Sequence, residues 1–100
     1  MKKITYHESV QRDVNEILVH YEREGGPLLA DRFFAELTHR IEVLAKDPER
    51  FPFYLAHRHW RRVTLRNFPH VILFRIHPDR IRVVVIKHVK RHPRFGMGRR

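Results

Sequence analysis

The sequence predicts an α+β domain of order β-α-α-β-β-β, a two-helix hairpin packed on one face of a mostly antiparallel four-stranded sheet. Three observations carry that expectation. Two stretches with apolar residues at helical spacing lie in the first half, on either side of Gly25-Gly26-Pro27. Two runs rich in β-branched and aromatic residues, Val71 to Ile76 and Ile81 to Ile86, flank His77-Pro78-Asp79-Arg80 in the second half, as the strands of a β-hairpin flank its turn. A chain of 100 residues is large enough for a single modest core and too small for two, so both halves must share it. The single domain is placed at residues 1–95, with 96–100 as a mobile basic tail.

Taken in order, residues 2–6 place Ile4 and Tyr6 on one side and read as an edge strand. A helix follows over 8–24, starting at Glu8 or Ser9, with Val10, Val14, Ile17, Leu18 and Tyr21 on one face. Gly25-Gly26 stops it. Pro27 suits the first turn of a second helix over 28–46, whose stripe reads Ala30, Phe33, Phe34, Leu37, Ile41 and Leu44 until Asp47-Pro48 ends it. Residues 49–59 have no sustained period and are expected to form a loop pinned by Phe51, Phe53 or Tyr54. Strands are expected over 60–66, 70–76 and 81–88. If Ile76 lies opposite Ile81, a period of two puts Ile72, Phe74, Ile76, Ile81, Val83 and Val85 on the core face. The other face then gathers Arg62, Arg66, Arg75, Arg82 and His88. Arg75 and Arg82 directly opposed repel unless water or an anionic partner lies over them.

Charge is distributed as unevenly as that face suggests. Residues 1–53 carry a net −2, whereas residues 54–100 carry +12, with Asp79 as their single acid. Such a half-domain attracts polyanions or an acidic protein at salt-dependent rates. The sequence has no cysteine, which excludes disulfides and thiolate zinc sites. The N-terminus lacks the apolar run of a signal peptide and no apolar stretch approaches membrane-spanning length, so the expected location is the cytoplasm, with no membrane partner. His57-x-His59 and the pair His88 and His92 lack a third ligand at a recognised spacing, so no metal and no cofactor is expected.

The order of elements, together with Arg61-Arg62-Val63-Thr64-Leu65 followed by Phe68-Pro69-His70 and the ending His88-x-Lys90-Arg91-x-Pro93, resembles the RelE/ParE superfamily of bacterial toxins, especially its plasmid-stabilisation branch. His70 stands where that pattern has tyrosine. The resemblance covers nearly the whole chain. It implies the toxin of a type II toxin–antitoxin system, which cleaves mRNA on the ribosome or poisons DNA gyrase, and which a cognate antitoxin with an acidic, amphipathic segment neutralises. The alternative is a non-catalytic basic RNA- or DNA-binding module.

An enzyme of this kind would be a metal-independent, ribosome-dependent endoribonuclease. It needs cations to hold phosphates, a base for the 2′-hydroxyl and an acid for the leaving oxygen. His88, Arg62 and Arg82 are the catalytic candidates: imidazole titrates near neutrality, and guanidinium matches phosphate oxygens bidentately. A histidine at a strand end among arginines is more often a surface hydrogen-bonding group, and that is the alternative reading of His88. Arg61, Arg66, Arg75, Lys90, Arg91 and Phe95 are the candidates for holding nucleic acid or another target. In the best-known ribosome-dependent branch an aromatic hydroxyl occupies the place of Phe95. Phe95 can stack on a base or cover the sheet edge, but cannot transfer a proton.

Overall fold

A computed structural model of the chain describes residues 2–100; Met1, where the expected domain begins, lies outside the described residues. The elements are β1 (Lys3–Tyr6), α1 (Val10–Lys46), a 3-10 turn (Pro48–Arg50), β2 (Phe53–Tyr54), β3 (His57–Thr64), β4 (His70–Ile76) and β5 (Arg80–His88). The five strands form one mixed sheet in the order β1-β5-β4-β3-β2. This corrects the expected fold in two respects: one helical element bent at Gly26 replaces the hairpin of two helices joined by a Gly-Gly-Pro link, and the sheet is five-stranded and mixed.

The helix correction is local to one residue. α1 is 37 residues long and contains a single non-helical position, Gly26, at φ 80° and ψ −177°. That conformation is essentially restricted to glycine, because a Cβ would clash with its own backbone. Pro27 resumes the helix at once, its missing N–H costing nothing in a first turn. The bend is sharp enough to bring Tyr21 and Phe33 together, with ring centroids 5.5 Å apart. In a straight helix these residues would stand roughly 18 Å apart at 1.5 Å per residue. The two arms of α1 therefore fold against each other with no loop between them.

The sheet correction has a non-local cause. β1 pairs in parallel with β5, Ile4 opposite Ile81 and Tyr6 opposite Val83, so the first strand depends on the last. The region expected to be a loop contributes β2 and the beginning of β3, with Phe53 opposite Arg61 and Tyr54 opposite His57.

Ile76 lies opposite Ile81 and Arg75 opposite Arg82, but the β4–β5 register shifts between Leu73 and Phe74. Phe74 faces Val83 while Leu73 faces Val85, leaving Val84 as an extra residue, a β-bulge. Beyond it the faces exchange. Ile86 replaces Val85 on the helix-covered side, in a core with Val10, Phe33, Leu37, Leu44, Ile72, Phe74 and Val83. Val85 joins Val84, Trp60, Val71 and Leu73 in a second apolar cluster on the other side, closed by Tyr54, Phe95 and Met97. Phe34, expected on the buried stripe, is 51% exposed, whereas its neighbour Phe33 is fully buried. The tail that follows β5 thus supplies the lid of the second cluster. Gly96, at φ 77°, passes so close to Val85 that an added Cβ would lie 2.6 Å from its Cγ2.

A buried carboxylate ties these parts together. β1 ends beside Val83, where the His7 N–H donates to the Val83 carbonyl at 2.9 Å, and the outer edge of β5 continues without it. Asp13 of α1 takes over: its Oδ2 accepts the Ile86 N–H at 3.1 Å. Both Asp13 oxygens also accept from the Arg99 guanidinium, at 2.6 and 3.0 Å, while Arg99 donates to the Val84 carbonyl at 3.0 Å. Helix, bulge and chain end meet at one ion pair.

Candidate functional site

The cations read from the sequence are dispersed by the fold into three groups. On the sheet, Arg75 and Arg82 stand opposite each other and Arg62 lies opposite Leu73. Arg82 is engaged: its Nε donates to the Arg100 carbonyl at 2.8 Å and its Nη1 to the Tyr6 carbonyl at 3.3 Å. Arg62 is exposed. Arg61, one residue along and therefore on the other side of β3, donates to the carbonyls of Glu49 and Phe51 at 3.0 and 2.8 Å and lies 4.1 Å over the Phe53 ring. It holds the approach to β2 in place.

Arg66 belongs to the β3–β4 turn, where its N–H and that of Asn67 donate to the Glu36 carboxylate at 2.6 and 3.0 Å. Burial pushes the Glu36 pKa up, but hydrogen bonds from Asn67 and Arg66 outweigh it and leave it below the ordinary value.

The second group follows β5. The Lys90 N–H donates to His88 Nδ1 at 3.0 Å, leaving Nε2 as the free ring nitrogen of His88. Lys90 itself is exposed. Lys87 is 4% exposed, and its ammonium donates to the Tyr54 hydroxyl at 2.8 Å and to the His92 carbonyl at 3.1 Å. The Tyr54 hydroxyl in turn donates to the Pro93 carbonyl at 3.0 Å. Phe95 lies between two guanidinium groups, Arg91 at 4.1 Å and Arg99 at 5.1 Å from its ring centroid. The segment after β5 is thereby fastened across the second apolar cluster.

Beside that segment a cleft of about 240 Å³ is lined by Glu16 and His20 of α1 together with His70, His88, Arg91 and Phe95. His70 and His88 are cross-strand partners with ring centroids 5.4 Å apart. His70 is packed edge-on against Tyr21 and Phe33, at 5.7 and 5.0 Å. Burial, with smaller contributions from the nearby His88 and His20, pushes its pKa down to about 4. His70 is therefore neutral in the folded protein near pH 7.

The third group surrounds the β2–β3 turn. Leu55 at its tip is fully exposed and Phe53 is 52% exposed. Phe53 lines a shallow cleft with Arg58, His59, Arg61, Arg75 and Glu49. His57 lies flat on Trp60, centroids 4.1 Å apart and 2° from parallel. Burial lowers the His57 pKa, with smaller contributions from His59 and Arg75.

The three residues singled out for catalysis do not converge. His88 and Arg82 lie six residues apart on β5, roughly 20 Å at 3.3 Å per residue, and Arg62 belongs to a strand two removed. Among the described residues no cluster of three or more His, Cys, Asp or Glu side chains could hold a metal ion. Sequence reasoning missed Asp13, Lys87, Tyr54, Arg99 and the pairing of His70 with His88. Asp13 left a legible signal, a carboxylate inside the apolar stripe Val10, Val14, Ile17. Lys87, Tyr54 and Arg99 depend on where the C-terminal segment lies, and the pairing of His70 with His88 on the register shift at Val84, neither of which a local pattern specifies.

These features are those of a small basic α+β domain, and the family assignment follows from comparison. The model of a family described as the ParE toxin of the type II toxin–antitoxin system, parDE, matches residues 4–93. The chain belongs to that family. Among solved structures it is similar to a chain of the chromosomal ParDE toxin–antitoxin system from P. aeruginosa, with a TM-score of 0.80 and 19% identity over 88% of this chain and 96% of that one. No curated protein matches it. Among the described residues no helix is long and apolar enough to cross a membrane.

Proposed function

We propose that this toxin arrests growth by acting on DNA gyrase rather than by cleaving ribosome-bound mRNA, and that a cognate antitoxin carrying an acidic, amphipathic segment neutralises it. The observation that supports this choice is the lid on the sheet. An endoribonuclease needs its base, acid and phosphate-binding cations within reach of one scissile bond, with reacting groups about 3 Å apart. Here the C-terminal segment lies over the face where those groups were expected, Arg82 is bound to two carbonyls, and His88 opens on a different cleft.

For the antitoxin, the supporting feature is an apolar groove of about 540 Å³ bordered by Tyr6, Val10, Val14, Phe34, Leu37 and Ile41. An amphipathic segment could seat its anchors there while its carboxylates meet the basic half of the chain.

Induced expression separates the two targets. A gyrase poison gives double-strand breaks trapped by gyrase and an SOS response, with transcripts intact. Cleavage of mRNA at the ribosomal A site without DNA breaks would reverse the assignment and return His88, Arg62 and Arg82 to the catalytic role.

A further inference from the structure

The β2–β3 turn combines features that neither the fold nor the toxin–antitoxin pairing uses. It is the place where the chain presents an aliphatic side chain wholly to water, Leu55, at the tip of a two-residue turn between Tyr54 and His57. Exposed apolar residues scattered singly need no explanation. This one stands two residues from the half-exposed Phe53, which together with Arg58, His59 and Arg75 lines one shallow cleft. From residue 50 to residue 78 the sequence has no carboxylate. Glu49 also lines the cleft and is the acid nearest in sequence to the turn.

We propose that this hairpin is a contact for duplex DNA, with Leu55 as an apolar wedge at a base step and Arg58 and Arg75 on the flanking phosphates. A two-stranded ribbon fits a DNA groove, and proteins that kink DNA insert aliphatic or aromatic wedges between steps while cations hold the backbone. Single-stranded RNA is recognised instead by stacking splayed bases on aromatic rings. The rings nearby are already stacked by the protein: Phe53 lies under Arg61 at 4.1 Å, and His57 lies on Trp60 at 4.1 Å. The side chain left free is aliphatic, which serves unstacking and not stacking. The inference is independent of the target proposed above, since either kind of toxin could carry such a contact.

The test uses the purified full-length chain and a short duplex carrying one dye for anisotropy, or a donor–acceptor pair at its ends to report bending. Affinity for the duplex should fall steeply between about 50 and 200 mM salt, and Arg58→Glu should weaken it roughly tenfold and make the salt dependence shallower by about one counterion. Leu55→Ser should retain most of the affinity but lose the bend. Arg23→Glu, the same change of charge on the exposed surface of α1, should leave affinity and bend close to the parent. The proposal is overturned if Arg23→Glu costs as much as Arg58→Glu, or if Leu55→Ser bends the duplex like the parent. Tighter binding to a single-stranded RNA of equal length, or binding to anionic phospholipid vesicles with none to the duplex, also overturns it.

Discussion

Asp13 carries more of the architecture than any apolar residue of comparable size, because α1, β5 and the chain end all bond to its carboxylate. Asp13→Asn would leave the Arg99 guanidinium, 14% exposed, without its counter-charge. Breaking a buried pair from one side costs about 3–5 kcal/mol, and urea denaturation should show a loss of that order. Arg99→Gln combined with Asp13→Asn should recover part of it. His70 sets the acid limb of stability. Its pKa falls from 6.5 in the unfolded chain to about 4 in the fold, so between those values the unfolded state binds the extra proton and stability drops as pH drops. The loss is complete near pH 4 and amounts to roughly 3 kcal/mol at most, at 1.36 kcal/mol per unit. Denaturation midpoints measured from pH 7.5 to 4 should flatten in His70→Gln. Glu36 acts at still lower pH: with its folded pKa depressed, its contribution is present above 4.5 and disappears as pH falls through the folded value.

At the scale of the element, the bend of α1 rests on Gly26. Gly26→Ala must hold a Cβ at φ 80° and should destabilise by about 1–3 kcal/mol, seen as a lower Tm with an unchanged helical signal. The bend also explains Phe33 and Phe34: folding the arms together buries Phe33 and turns Phe34 to the groove. Phe33→Ala should cost about 3–5 kcal/mol, against less than about 1 for Phe34→Ala. Helical spacing in the sequence located both arms and the glycine between them, and period-two spacing located β4, β5 and the pairing of Ile76 with Ile81. It could not reveal the bulge at Val84, because alternation counts residues as if every one were paired, and one unpaired residue exchanges the faces of everything after it. Val85 and Ile86, both aliphatic, carry no mark of which one faces the helix. Nor could spacing show that β1 joins β5 in parallel, a choice made across more than 70 residues. The candidate site was legible as residue types and illegible as a constellation for the same reason.

For the whole molecule, the separation of −2 and +12 between the two halves of the chain governs how partners arrive. Association with an acidic antitoxin should slow markedly as salt rises from low to physiological concentration, since screening shortens the reach of the charges to about 8–10 Å, while dissociation changes little. Stopped-flow mixing at several ionic strengths measures both rates. A salt-insensitive association rate would show that the apolar groove beside α1 alone guides the encounter.

The parallel seam between β1 and β5 also dictates when the toxin comes into being. Lys3–Tyr6 has no partner until Arg80–Val83 has been made, and the clamp on Asp13 must wait for Arg99. The arms of α1 can form early, since their contacts are local. The sheet has a high contact order, and its closure must wait for long-range pairing. A nascent chain from which residues 80–99 have not yet emerged thus lacks its finished surface. An antitoxin already in solution would meet the toxin in the interval between synthesis of β5 and closure of the sheet, when the edge of β5 is still unpaired. Kinetic capture of that unfinished state, and not only equilibrium affinity for the folded one, would then contribute to protecting the cell that makes both proteins.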